Sequence, residues 1–389
     1  MNVVFVYSRE IIAEKGGVQR VTTVLADYFE SIGINVFYLG LERTSSDESI
    51  SPRQFYLPHQ KDVGDNYSFF LGFLKDNNIS FVINQAGINP DISRLVYSAK
   101  DLNIKVISVV NNSIMSGINN FSSLYKRRAR RYGLEFLLPL ANISVINIFL
   151  RYLYKAKYHK HYKELCERSD RVVILSDSFR EELGFMLGYV PNECVVTIPN
   201  PLAFPFKEVN LSEKKNELLF VGRADCPYKQ VDVLLEIWQM LYKRFPEWEL
   251  KIVGGDEQGD LAILADKLGL KNISFEGFQD PTPYYSSASI FCLTSSSESF
   301  GMVLIEAMRF GVVPFAFSSY DAVHDIIDSP GVGTLIEPFN RRQYADELSK
   351  LISDRDRREQ MAMSALHKSN SYSVDAIGYK WSALFNELS

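Results

Sequence analysis

The stretch IFCLTSSSESFGMVLIEAMRFGVVPFA, residues 290–316, joins a short apolar run, a serine-rich loop, an apolar helical segment ending at Gly311 and a second apolar run. Ile290–Leu293 reads as a strand, Val303 to Phe310 as a helix and Val312–Ala316 as the next strand. Strand, helix and strand in such close succession imply a right-handed crossover and a parallel sheet. Open parallel sheets take ligands at the carboxyl ends of their strands, where loops and helix N-termini gather. Ser295 to Gly301 is therefore the first place to look for chemistry. Ser297 or Ser299 can cap the helix, and Gly301 permits close approach of a ligand. Glu298 lies in the loop. Glu306 lies on the helix among Leu304, Ile305, Ala307 and Met308, where a bare carboxylate would be costly. Sugar and ribose hydroxyls are natural donors to it; a structural salt bridge is the alternative.

The same alternation extends outward on both sides. Upstream lie Glu217–Val221, a helix through Val231–Phe245, Glu249–Val253, a helix over Leu261–Leu268, and Ile273–Glu276. The first half repeats the pattern with Val3–Tyr7, a helix over Gly17 to Ser31, Asn35–Leu39, Ser80–Asn84, Lys105–Val110 and Arg171–Leu175. Between the halves Pro199, Asn200, Pro201 and Pro205 stop regular structure, and a polar stretch follows to Asn216. With 389 residues, two domains of nearly equal size are comfortable. The expectation is an α/β protein of two Rossmann-like domains, 1–198 and 199–371, with parallel sheets facing a central cleft. Residues 372–389 form a C-terminal helix packing back across the domains.

Two further loops follow first strands. Lys15-Gly16-Gly17-Val18-Gln19-Arg20 precedes a helix, so its paired glycines let the backbone and the helix N-terminus approach an anion; a tight turn is the plainer reading. Gly222-Arg223-Ala224-Asp225-Cys226-Pro227-Tyr228-Lys229 sends two cations from a strand end. Arg offers a planar fork for two phosphate oxygens and Lys a compact point charge.

Composition narrows the function. Net charge is −5, which argues against a nucleic-acid binder. Four scattered cysteines show no CxxC spacing, so neither a zinc site nor a disulfide framework is expected. No DxD-type motif that would hold a divalent ion against a diphosphate is found, and His59, His159, His161, His324 and His367 make no ligand set, so no metal is expected. Met1 to Tyr7 reads as a buried strand rather than a leader. The apolar stretch Leu134–Leu150 carries Glu135, Pro139, Asn142 and Asn147 and is too short to span a bilayer. Ten Lys or Arg and one acid fall between Lys126 and Lys163, interleaved with aromatics. This basic region, 126–163, suits an anionic membrane surface or a lipid-diphosphate acceptor.

These motifs together resemble glycosyltransferase family 4, the retaining enzymes of GT-B architecture, in their bacterial surface-polysaccharide type. The resemblance covers nearly the whole chain: Gly16-Gly17, Gly222-Arg223…Lys229, Ile252-Val253-Gly254-Gly255, Phe275-Glu276-Gly277-Phe278, the Glu298…Glu306 pair, Ile198-Pro199-Asn200-Pro201 and the Trp381-containing tail. It implies a hexosyl transfer, with retention and without a metal, from a nucleotide-diphosphate sugar, UDP-sugar foremost, to a glycan or lipid-linked acceptor. It further implies a cytoplasmic place, on the inner face of the membrane if the basic region binds there. Arg223, Lys229 and Glu298 would be catalytic, the first two neutralising the leaving diphosphate and the third bonding the transferred sugar. Donor binding would involve Gly16, Gly17, Asn111, Gly222, Gly254, Phe278 near the base, Ser299, Phe300, Gly301, Met302, and Glu306 on the ribose. One departure stands out. Such enzymes often carry a histidine after the strand that here is Lys105–Val110, whereas this chain has Asn111-Asn112, and Asn111 can hydrogen-bond but cannot carry a proton. A nucleotide-sugar epimerase of the same architecture and a non-catalytic nucleotide-sugar binding protein are the alternatives.

Overall fold

Val3, Val4, Phe5 and Val6 are all fully buried, although successive strand side chains point to opposite faces. A strand apolar on both faces belongs in the middle of a sheet covered on both sides. The computed structural model places it so. The structure describes residues 1–13, 16–43, 51, 53–58, 63–119, 144–204, 208–256 and 259–389. Lys15, His59, Pro205, the Lys126–Arg131 run and most of Leu134–Leu150 lie outside them.

The first of two compact units holds Met1–Ile114, Arg151–Ala203 and Tyr372–Ser389. Its strands are β1 (Asn2–Arg9), β2 (Asn35–Glu42), β3 (Gln54–Tyr56), β4 (Phe81–Asn84), β5 (Lys105–Val110), β6 (Arg171–Ile174) and β7 (Val195–Thr197). All pairings are parallel, in the order β3-β2-β1-β4-β5-β6-β7. The order reverses between β1 and β4. Val3 and Phe5 face one core with Val21, Leu25 and Phe29 of the Gly17–Ser31 helix. Val4 and Val6 face the other with Phe70, Phe73, Leu74, Ile92 and Val96.

The last helix, Val374–Leu388, belongs to this first unit. Its Trp381 and Phe385 rings meet Phe29 edge-on at 6.2 and 5.2 Å. A Cβ on Gly378 would sit 2.3 Å from the Tyr28 ring, so this helix approaches the Gly17–Ser31 helix as closely as glycine permits. Each buried aromatic adds roughly 1.5–3 kcal/mol, which explains why a helix distant in sequence is held to the first-unit core.

The second unit is built on Phe204–Ser371. Its strands are β8 (Glu217–Val221), β9 (Glu249–Val253), β10 (Ile273–Gly277), β11 (Ile290–Leu293), β12 (Val313–Phe317) and β13 (Thr334–Ile336). The parallel order is β10-β9-β8-β11-β12-β13, reversing between β8 and β11. Three strands were not expected from the pattern: β3, β7 and β13, each three residues long. Two long helices close this unit, Arg341–Ser353 and Arg355–Ser369. Asn340 and Asp354 cap them, accepting from the backbone N–H of Gln343 and Arg357.

Candidate functional site

The reversal between β8 and β11 leaves a crevice at the carboxyl edge of the second sheet, because the loops on either side run to opposite flanks. The two loops that enter it are those singled out from sequence. Gly222 to Lys229 follows β8 and Thr294 to Gly301 follows β11.

The loops are stitched together. Ser296 N–H donates to the Tyr228 carbonyl at 2.7 Å. Thr294 Oγ1 donates to the Gln230 carbonyl at 2.9 Å. Across this seam Lys229 Nζ donates to both carboxylate oxygens of Glu298, at 2.7 and 2.9 Å. Their side chains are only 11% and 10% exposed. Ser295 Oγ adds a 2.5 Å bond to Glu298 Oε1. Arg223 is exposed, and its Nη2 donates to the Tyr228 hydroxyl at 3.0 Å. The Tyr228 ring lies 5.7 Å from Lys229 Nζ. One tyrosine thus connects the two cations. With Lys229 held by a carboxylate, an incoming anion must compete for the ammonium, and Glu298 must then find a new donor.

Glycine serves backbone packing here. Gly222 and Gly254 have φ of +146° and +139°. Gly222 N–H donates to the Val253 carbonyl at 2.9 Å and Gly254 N–H to the Gly277 carbonyl at 2.8 Å. A Cβ on Gly254 would lie 1.7 Å from the Gly222 carbonyl oxygen. The ends of β8, β9 and β10 are therefore stacked backbone on backbone. Phe278, next after β10, is 74% exposed.

The helix expected from Val303 runs Met302–Arg309. Neither Ser297 nor Ser299 caps it. The N-cap is Gly301 at φ +99°, with no side-chain cap, because this left-handed residue turns the chain into the helix. Ser299 is exposed, Phe300 buried and Met302 half-buried. A Cβ on Gly301 would meet the Tyr320 hydroxyl at 2.3 Å, so the close approach that glycine allows is made by Tyr320. That hydroxyl is buried and has no hydrogen-bond partner among the described residues. Burial, with the Glu298 charge adding to it, pushes its phenol well above the ordinary tyrosine range.

Glu306 is buried on the same helix, and its Oε2 accepts from the Tyr285 hydroxyl at 3.0 Å. The polar partner that burial demands is thus a phenol twenty-one residues upstream.

In the first unit Gly16 and Gly17 follow β1, on one side of its reversal, and Asn111 follows β5, one strand beyond the other side. Gly16 is the N-cap of the Gly17–Ser31 helix, whose first turn has neither an acidic residue nor a side-chain cap. Among the described residues, beyond its chain neighbours and its own helix backbone, nothing lies within 4 Å of a Cβ built on Gly17, and one on Gly16 would meet only the Gln19 side chain closely. No backbone packing demands these two glycines. Asn111, after β5, is buried and donates from Nδ2 to the carbonyl and side-chain oxygens of Gln85 at 2.8 and 2.9 Å. His161 bonds the Gly87 carbonyl at 2.9 Å, and burial lowers its imidazole below the usual range. His159 bonds the Met186 carbonyl at 2.8 Å.

Sequence reasoning missed Tyr228 and Ser295 as partners, although both lie inside the loops that bear Lys229 and Glu298. It also missed Gly277 as the backbone partner of Gly254. Tyr285 and Tyr320 carried no local signal, because their roles depend on contacts across the fold.

This architecture is the GT-B fold of glycosyltransferases. In Anabaena Alr3699/HepE, solved in complex with UDP and glucose, the structures superpose with a TM-score of 0.73 over 100% of each chain at 13% identity. The stretch that builds the site is more specific: residues 204–368 match the family model of the glycosyl transferases group 1. An uncharacterized glycosyltransferase of Haemophilus influenzae is 33% identical over 218 residues, 55% of this chain and 61% of that protein. The amylovoran biosynthesis glycosyltransferase AmsD of Erwinia amylovora is 29% identical over 178 residues, 45% of this chain and 49% of the relative. The matches thus span about half to three fifths of these relatives.

Proposed function

We propose that the chain is a retaining glycosyltransferase that moves a hexosyl residue from a nucleotide-diphosphate sugar, UDP-sugar foremost, to a glycan or lipid-linked acceptor in bacterial envelope polysaccharide synthesis. The observation that carries this reading is the Lys229–Glu298 pair at the β8/β11 reversal, with Arg223 beside it and Glu306 on the helix that follows. The link from AmsD to amylovoran biosynthesis and the UDP and glucose of the Anabaena neighbour support donor and pathway class by likeness.

The proposed chemistry asks for positioning and for stabilisation of negative charge. As the bond from the anomeric carbon to the diphosphate oxygen breaks, charge builds on the leaving group. Arg223 and Lys229 hold it there. The acceptor hydroxyl attacks the oxocarbenium-like carbon from the same face, and its proton passes to the departing phosphate. Glu298, released from Lys229, accepts from a sugar hydroxyl. The transfer calls on no metal and on no acid–base pair of side chains. A thermal-shift screen of UDP-, GDP- and ADP-sugars tests the donor assignment. One class should raise the melting temperature, and nucleotide release should then need an acceptor extract. No shift with any of them would overturn the reading.

The same proposal places an anionic membrane surface against the basic region. Among the described residues no helix is long and apolar enough to cross a membrane, so contact would be peripheral, on the cytoplasmic face. On the Ser144–Arg168 helix Tyr152 and Leu153 are exposed, as are Tyr189 and Val190 beyond the next helix. Arg151 and Lys155 lie over the Phe185 ring at 5.4 and 5.1 Å, and Tyr152 meets it edge-on at 5.6 Å. Apolar side chains among cations suit a lipid headgroup layer. Co-sedimentation with anionic liposomes but not neutral ones is expected; equal partition would dismiss the surface.

A further inference from the structure

The Tyr285 side chain is completely buried, and its ring is held on several sides. It stacks on Phe310 at 5.6 Å with planes 16° apart. It meets Phe204 edge-on at 6.2 Å and lies 6.1 Å from Phe291. The backbone that carries it is tied down as well. Its N–H donates to the Pro281 carbonyl at 2.9 Å, and its carbonyl accepts from Lys214 Nζ at 2.8 Å. Two residues on, Ser287 Oγ donates to Glu217 Oε2 at 2.6 Å. A phenol fixed at ring and backbone delivers its hydroxyl to one point, and that point is Oε2 of Glu306, 3.0 Å away.

A glutamate side chain turns about three torsions, and pinning its carboxylate removes most of that freedom before any ligand arrives. Preorganised carboxylates bind hydroxyls better because less order is lost on binding. We propose that Tyr285 is a positioning residue for the nucleotide: by holding Glu306 it sets the carboxylate to receive the ribose hydroxyls, and so makes the site selective for a ribonucleotide over a nucleotide without those hydroxyls. This inference rests on the ribose role proposed for Glu306 and adds the device that gives that role its selectivity. A tyrosine that merely satisfied a buried carboxylate would affect folding and all nucleotides alike.

Calorimetric titration of the full chain with UDP, GDP and ADP and with their 2′,3′-dideoxy counterparts separates these cases. The parent should prefer one ribonucleotide over its dideoxy form. Tyr285→Phe keeps the ring and removes the hydroxyl. It should weaken the ribonucleotide about tenfold, the order expected for a hydrogen bond to a charged group, and leave the dideoxy form unchanged, so that the preference collapses. Glu306→Gln should collapse it too, and adding Tyr285→Phe to Glu306→Gln should cost little more. If Glu306→Gln lowers ribonucleotide affinity while Tyr285→Phe does not, or if Tyr285→Phe weakens both nucleotide forms equally, the positioning role is wrong and the donor site stands. If the parent shows no preference for any ribonucleotide, or if Glu306→Gln changes nothing, the ribose role of Glu306 falls and the positioning role with it.

Discussion

Both sheets reverse strand order beside their first strand, between β1 and β4 in one unit and between β8 and β11 in the other, yet the two reversals are furnished differently. In the second unit the loops bring an ammonium and a carboxylate into contact, with an arginine and a second glutamate close by in sequence. In the first unit Asn111, the candidate side chain after β5, is an amide bonded to another amide, Gln85, and of the paired glycines Gly17 is exposed. Charge against charge suits a polyanionic leaving group, whose stabilisation grows as the bond breaks. Amides and uncapped backbone N–H groups suit neutral hydroxyls and the outer part of an anion. The shared topology supplies a crevice, and the side chains decide what enters it.

The contrast can be broken most sharply at the cations. Lys229→Ala should cost turnover about 10²–10³-fold. It should also lower stability by roughly 3–5 kcal/mol, because it leaves the Glu298 carboxylate buried without its cation. Arg223→Ala, at an exposed position, should cost comparable turnover while shifting a urea melt by no more than about 0.5 kcal/mol. If nucleotide release by the Arg223 variant stays within severalfold of the parent, the second reversal is not the anion site.

Glycine offers the next test. Gly254→Ala would press a methyl group against the Gly222 carbonyl at a left-handed backbone position, and roughly 2–5 kcal/mol of stability should be lost. Asn111→Ala should cost about 1–2 kcal/mol for its bonds to Gln85 and much less turnover than Arg223→Ala; an equal loss of turnover would erase the distinction between the two reversals. The smallest effect belongs to Gly17→Ala. The open space there predicts a stability change within about 0.5 kcal/mol, readable by thermal melt. Any loss of donor affinity with it would report close approach of phosphate to that backbone.

Much of this was legible in the chain because it is local. A loop that follows an apolar strand and precedes a helix is recognisable wherever the fold places it, and Gly222–Lys229 and Ser295–Gly301 were found that way. The long central strands were equally plain, since runs such as Val3–Val6 and Glu217–Val221 are buried on both faces. Strand ends drifted by one to three residues, most at β2, expected to end at Leu39 and ending at Glu42. The three-residue strands β3, β7 and β13 escaped because so short a run shows no period, and their pairing is decided by the neighbouring strand. The helices Arg341–Ser353 and Arg355–Ser369 were not read from the sequence, although Asn340 and Asp354 stand as capping residues before them. The serine cap expected before Met302 failed because Gly301, in a left-handed turn, supplies the N-cap itself.

The order of residues along the chain determined the parallel α/β architecture, the two series of strands and helices, and the loops that bear cations and carboxylates. Hydrophobic period and loop position are properties of neighbouring residues, so no folding is needed to see them. Only the tertiary structure decided that Lys229 grips Glu298 across sixty-nine residues, that Tyr285 holds Glu306, that Tyr320 fills the space beside Gly301, and that Val374–Leu388 seals the first unit's core. Each of these is a contact between side chains remote in sequence, set by strand order and packing, and no local pattern encodes which remote partner a buried polar group will meet.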